Sequence, residues 1–229
     1  MNIPEDKISR FLKEPPKAND LDLASRWILS RFQATLASVT KAIEKYRFSE
    51  AETLIYEFFW RNFCDWYLEI IKNKFADENV QHVALYTLEQ TLRLLHPFMP
   101  FMTEEIWHTL HKSEEALATQ SWPSPEKSYI DKRIETEMAV LIELIQTARA
   151  VRANWNIETQ AQTDLLLKPV NKKEEFLLGT NKEILKNLLK VNQLTISAKA
   201  EKPKDSASGF AANIKFYIPL SGVIDIEKE

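Results

Sequence analysis

The chain has 229 residues, 45% hydrophobic and 28% charged, with a formal net charge of −3; this is a folded chain's balance, with material for one large domain or two small ones. Charges interrupt the apolar residues too often for a spanning helix of about 20 residues, and the start, with Glu5, Asp6, Lys7 and Arg10, offers no secretory h-region, so a cytoplasmic address is expected. Three glycines, Gly179, Gly209 and Gly222, cannot build a glycine-rich phosphate loop, and one cysteine, Cys64, cannot build a disulfide or a multi-cysteine zinc site.

The first element expected runs from about Asp20 to Tyr46, where Ala24, Trp27, Ile28, Phe32, Leu36, Val39, Ile43 and Tyr46 fall at helical spacing. Pro15 and Pro16 keep the preceding segment extended, and Asn19 or Asp20 is placed to cap the helix. Ser49 to Glu52 has the form of a capping box. The helix it opens carries Leu54, Ile55, Phe58, Phe59, Phe63, Trp66, Tyr67, Ile70, Ile71 and Phe75, a stripe wide enough to need packing on two sides. A third helix spans about Asn79 to Leu95 and must stop at His96-Pro97-Phe98-Met99-Pro100. Thr103 is placed to cap a fourth, with Ile106, Trp107 and Leu110 facing inward.

Ser121 to Ser128, with two prolines, reads as a linker, and a long helix follows from about Asp131 to Trp155. Beyond Asn156 the pattern changes. Residues 163–170, 193–199 and 212–219 read as strands around a short helix near 182–190, with an exposed loop over 200–209. The fold class expected is therefore mainly α, a helical bundle over residues 1–127. A long helix and a small α/β appendage occupy residues 128–229.

Candidate chemistry is sparse. His108 and His111 lie one turn apart but lack further ligands, so no metal is expected there. Cys64 sits in an apolar helix, where a thiol is inert packing. Glu104/Glu105 and Glu174/Glu175 are consecutive acids that point apart, and no catalytic residue is assigned. Rings beside cations, at Arg10-Phe11, Arg26-Trp27, Arg61-Asn62-Phe63 and Trp66-Tyr67 with Lys72 and Lys74 beyond, fit either core aromatics next to surface charges or a surface that stacks unpaired RNA bases. With a net negative chain, any RNA-binding charge must be local.

Two stretches sharpen this reading. Phe63-Cys64-Asp65-Trp66-Tyr67-Leu68-Glu69, ahead of Lys72, closely resembles a stretch of valine–tRNA ligases, and Leu95 to Trp107, containing His96-Pro97-Phe98-Met99-Pro100, resembles a segment shared by the valine, isoleucine and leucine enzymes. Arg26 to Arg31, Ser121-Trp122-Pro123 and Pro219 to Asp225 are similar in the same order, so the resemblance covers nearly the whole chain. Arg152-Ala153-Asn154 departs from the usual Arg-x-Glu, and Ile157 is followed by Glu158 rather than proline, so Arg149 and Arg152 are not taken as sites.

The resemblance implies the anticodon-binding helical bundle of class I synthetases, without the His-Ile-Gly-His and Lys-Met-Ser-Lys-Ser signatures of the catalytic body. Both ends are expected to be cuts through a longer protein. It further implies tRNA(Val) as partner, with Arg10, Phe11, Tyr67, Leu68 and Lys72 near the anticodon, and Trp66, Phe98 and Trp107 in the core. Neither DNA nor a membrane is an expected partner, and a monomer is expected. ATP and magnesium are implied for the full-length enzyme, with no cofactor in this portion. Two alternatives stay open: the same domain of an isoleucine– or leucine–tRNA ligase, and a helical interaction scaffold with no RNA role.

Overall fold

A computed structural model describes residues 3–17, 20–112 and 115–220. Asn19, one of the two candidate caps, and the end of the Pro219 to Asp225 stretch lie outside those residues. The chain divides into two compact units, Met1–Glu135 and Thr136–Glu229.

The first unit opens with α1 (Glu5–Lys13), a helix the sequence pattern did not predict; Glu14, ahead of the two prolines, is extended as expected. Acids in its first turn and bases in its last match the helix dipole, but only Phe11 is buried, so one apolar anchor holds it. The next helix, α2 (Leu23–Glu44), starts because the Asp22 carboxylate accepts the Ser25 backbone N–H at 2.9 Å, two residues later than the Asp20 cap expected. Trp27, Ile28, Phe32, Leu36 and Val39 form its buried face. Tyr46, predicted on that face, lies beyond the helix with φ 58° and is 82% exposed.

α3 (Phe48–Tyr56) begins without a side-chain cap, so Ser49 and Glu52 lie inside the helix rather than forming a box. It passes into a π-helical stretch (Glu57–Leu68) and a last α turn, α4 (Glu69–Ile71). Buried positions step from Ile55 to Phe58, Phe63, Tyr67 and Ile71. The five-residue step from Phe58 to Phe63 exceeds an α turn and suits the wider π repeat, which resolves the broad apolar stripe of this segment.

α5 (Glu78–Leu95) is capped by Asp77, whose carboxylate accepts the Asn79 N–H at 2.8 Å, and buries Val80, Val83, Leu92 and Leu94. α6 (Pro100–His111) starts at a proline that needs no donor. Thr103 is therefore not its cap; the hydroxyl donates to the Met99 carbonyl at 2.9 Å. Trp107 packs with Leu92, Leu117, Leu88 and Leu110 as expected, whereas Ile106 is 37% exposed. α2 packs against α3, the π stretch and α5, while α1 lies against α5 and α6. An all-α bundle results.

α7 (Lys132–Asn154) carries the chain into the second unit. There β1 (Thr163–Lys168), α8 (Lys172–Thr180), α9 (Lys182–Leu189) and β2 (Val191–Ile196) make a parallel β1–β2 crossover, completed by β3 (Ser206–Ala211) and β4 (Ile214–Pro219). The strand order is β2-β1-β4-β3, with β4 antiparallel to both neighbours. Asn171 caps α8 by accepting the Glu174 N–H at 2.9 Å, and Glu174 reaches back to the Val170 N–H at 2.8 Å. Neither α8 nor β3 was expected, and β3 occupies part of the supposed loop. Leu165, Leu167, Ile214, Phe216 and Ile218 are buried on one face of the sheet. A Cβ at Gly209 would lie 2.1 Å from the Phe216 ring, so only glycine lets that ring cross β3. Among the described residues, no helix is long and apolar enough to cross a membrane.

Candidate nucleic-acid interface

The π stretch ends where Tyr67, Leu68 and Lys72 were expected to meet RNA. Tyr67 is fully buried, its hydroxyl 3.2 Å from Ser25 Oγ on α2. Burial first, with smaller effects from its neighbours, drives that phenol far above its ordinary range, so it stays neutral. No face of the ring is open to a base, and its role is to fasten the helix to α2. Leu68, the next residue, is 36% exposed. Lys72 is largely exposed and lies 3.5 Å from Glu69, a surface pair that RNA phosphate can displace at little cost. Lys74 reaches back to Asp22 at 3.2 Å, tying the turn Lys72–Lys74 to the start of α2.

Arg10 and Phe11 are sequence neighbours with opposite fates. Phe11 is buried and stacks on His82 of α5, with ring centroids 4.7 Å apart and planes 15° from parallel. His82 Nε2 lies 2.7 Å from the Glu14 carbonyl. The Arg10 guanidinium stands 4.9 Å over the Phe11 ring and donates to Glu78 at 2.9 Å, and Lys7 pairs with the same carboxylate. Hydrogen bonds from Lys7 and then Arg10 hold the Glu78 carboxyl below the usual range. A polar cleft of about 200 Å³ opens beside them, lined by Arg10, Lys17, Glu78, Asn79 and His82 among others.

Of the five predicted site residues, Arg10, Leu68 and Lys72 face solvent. Phe11 and Tyr67, expected near the anticodon, are buried, so of the two readings left open for these rings the structure shows core packing. Lys72 lies on the turn leading into α5, whose first residue is Glu78, the partner of Arg10. Sequence reasoning missed Lys7 and His82. Their partners are Glu78, 71 positions away, and the Glu14 carbonyl, 68 positions away, and no local pattern reports such pairings.

The other candidates settle into structure. Burial and the adjacent Asp65 push the Cys64 thiol up, away from the reactive thiolate. His108 lies 3.3 Å from Glu104. His111 stacks on Trp107 at 3.7 Å, and burial holds its imidazole down. Beneath them Glu89, 2% exposed, takes the Arg93 guanidinium at 2.6 and 2.9 Å. Trp66 and Phe98, expected in the core, are half-buried. Phe98, Pro97 and Trp122, from two of the resembling stretches, line one apolar cavity of about 540 Å³, where Trp122 donates to Thr40 at 2.9 Å. Among the described residues, no group of three or more His, Cys, Asp or Glu side chains is placed to hold a metal ion.

A family described as the anticodon-binding domain of tRNA ligase matches residues 25–167. The chain is 37% identical to a valine–tRNA ligase of Lactiplantibacillus plantarum over 94% of its own length and 25% of the relative's. It is 37% identical to the Thermosynechococcus vestitus enzyme over 93% and 24%, and 36% identical to one of Staphylococcus aureus over 100% and 26%. The chain thus spans about a quarter of the length of the curated relatives it matches.

Proposed function

The chain belongs to the anticodon-binding domain family of tRNA ligases, and from that footing we propose that it engages the anticodon arm of a valine tRNA as part of a valine–tRNA ligase. One observation carries the reading: the similarity to valine enzymes runs along nearly the whole chain, beyond the family match at residue 167. Arg10 and Lys72 supply charge to phosphates, and Leu68 offers an apolar contact to an unstacked base. Phe11 and Tyr67 hold those side chains on rigid helices. The partner is RNA alone, the site of action is the cytoplasm, and the domain acts as a monomer.

Attaching valine to tRNA with ATP and magnesium is, on this proposal, the work of the rest of the enzyme. The residues described here do not fit those groups. They include no metal-ligating cluster, and the chain has no clustered glycines for a nucleotide's phosphates. No chemical step is therefore assigned to this domain, which orients the RNA.

The test is fluorescence anisotropy of the 229-residue chain with a valine tRNA transcript, its anticodon-swapped version, and isoleucine and leucine tRNAs. The valine tRNA should bind at least about tenfold tighter than the swapped form, with affinity falling as salt rises. Equal affinity for both would remove anticodon reading, and a preference for isoleucine or leucine tRNA would reassign the domain within its family.

A further inference from the structure

The sheet of the second unit buries one face and leaves the other open. Side chains alternate across β-strands, so residues two apart share a face. Thr163, Leu165, Leu167, Ile214, Phe216 and Ile218 are buried, while Leu166, Lys168, Lys215, Tyr217, Ser208 and Phe210 between them are half-buried or exposed. Register fixes where the latter stand. Lys168 pairs with Lys215 and Lys215 with Phe210, a row across β1, β4 and β3; Leu166, Tyr217 and Ser208 make the adjacent row. Phe210 and Tyr217 are diagonal cross-strand neighbours, a relation that puts side chains roughly 7 Å apart and on the same side.

We infer that this open face binds an unpaired stretch of RNA, with the Phe210 and Tyr217 rings stacking bases and Lys168 and Lys215 meeting the phosphates between them. Phe210 is 59% exposed, an unusual state for a phenylalanine on a strand with a buried face available. Neither lysine has an ion-pair partner among the described residues, and the one acid among the strand residues of this face, Asp164, accepts the Gln193 backbone N–H at 3.1 Å. Charge points the same way. Residues 163–220 hold ten lysines against six acids, in a chain whose net charge is −3. Residues 163–220 thus carry a local positive excess within an acidic chain, which favours an RNA contact there in addition to the one on the first unit. Protein-binding patches are depleted in lysine, whereas a flat sheet presenting two rings between cations is a stacking platform that tolerates any base.

This contact is separate from the anticodon contacts proposed for the first unit. It stands or falls with RNA binding, whichever amino acid the enzyme handles. The test uses the full chain, a fluorescein-labelled uridine oligomer of about 12 nucleotides, and the valine tRNA transcript with its anticodon-swapped form. Phe210→Ala should weaken oligomer binding roughly fivefold or more, the loss expected for one stacked base. Lys215→Glu should weaken it strongly at ~50 mM salt and much less at ~300 mM. Both side chains are exposed, and circular dichroism checks that each variant stays folded. Arg10→Ala should weaken valine tRNA binding through its lost phosphate contact, whereas Phe210→Ala should leave the affinity ratio between the valine tRNA and its anticodon-swapped form unchanged, which separates the two contacts. Ultraviolet cross-links should map to β1, β3 and β4. Oligomer affinity equal within about twofold for folded Phe210→Ala and Lys215→Glu chains would overturn the inference. So would cross-links confined to the first unit, or variants that change self-association in place of RNA binding.

Discussion

Replacing Gly209 with alanine tests the packing logic of the second unit. The added methyl would stand 2.1, 2.6 and 2.8 Å from three atoms of the Phe216 ring, which has no exposed surface. Carbon atoms rest about 3.5–4 Å apart, so the ring or strand must shift by roughly 1–2 Å within a filled interior. Overpacking of this kind costs about 1–3 kcal/mol. At about 1.4 kcal/mol per tenfold change, amide protection in β3 and β4 should fall between roughly five- and 150-fold. Native-state hydrogen exchange reads this strand by strand, while α2 and α5 in the other unit serve as internal references. A Phe216→Leu substitution makes room for the methyl, so the double variant should be less unstable than the sum of the two single ones. Unchanged exchange in β3 and β4, or strict additivity, would refute the argument.

Two further outcomes follow from charge. Glu89→Ala leaves the Arg93 guanidinium inside the bundle without its carboxylate, and should lower stability by about 3 kcal/mol in urea titration; a loss below ~1 kcal/mol would show that water already screens the pair. Glu78 titrates lower in the folded chain than in the unfolded one, so its stabilisation of α1 is present above the unfolded carboxyl range, near pH 4.3, and lost as pH falls through the lower folded value. The protection factors of the α1 amides, corrected for the intrinsic slowing of exchange in acid, should fall on acidification below about pH 4 in the native chain, and should already be low and less acid-sensitive in Glu78→Gln.

How legible these features were depended on where the information lay. The helices α2, α5 and α7 were readable because a long, regular apolar period states its own burial, as with Trp27 to Val39. α1 was not, since Phe11 alone is its anchor and the contact that matters lies on α5. β3 was mistaken for loop because Ser206 to Gly209 looks like turn chemistry. Its small residues are there to admit Phe216 of the partner strand, a fact recorded in β4 rather than in β3. Caps failed in a similar way: Ser49 and Thr103 are good capping residues, yet the helices start one and three residues earlier, at Phe48 and Pro100. At the candidate site, adjacency misled. Tyr67 and Leu68 differ by one position and face opposite environments, and a π repeat moves that boundary away from where a 3.6-residue period would draw it.

Arg152, set aside when the sequence was read, is 6% exposed and donates to Thr163 Oγ1 at 2.5 Å and to the carbonyls of Ala161 and Glu158 at 2.7 and 3.2 Å. Its planar fork thereby spans the whole connection from α7 to β1, a geometry that lysine's single ammonium cannot copy. Two of the three acceptors are main-chain oxygens, indifferent to which side chains the connection carries. Ile157 is buried and Asn156 is held at φ 50°, but the side chains between 155 and 162 play no part in these bonds. An insertion or deletion of one residue, by contrast, would carry the oxygens out of reach, so it is the length of this segment that the Arg152 fork enforces.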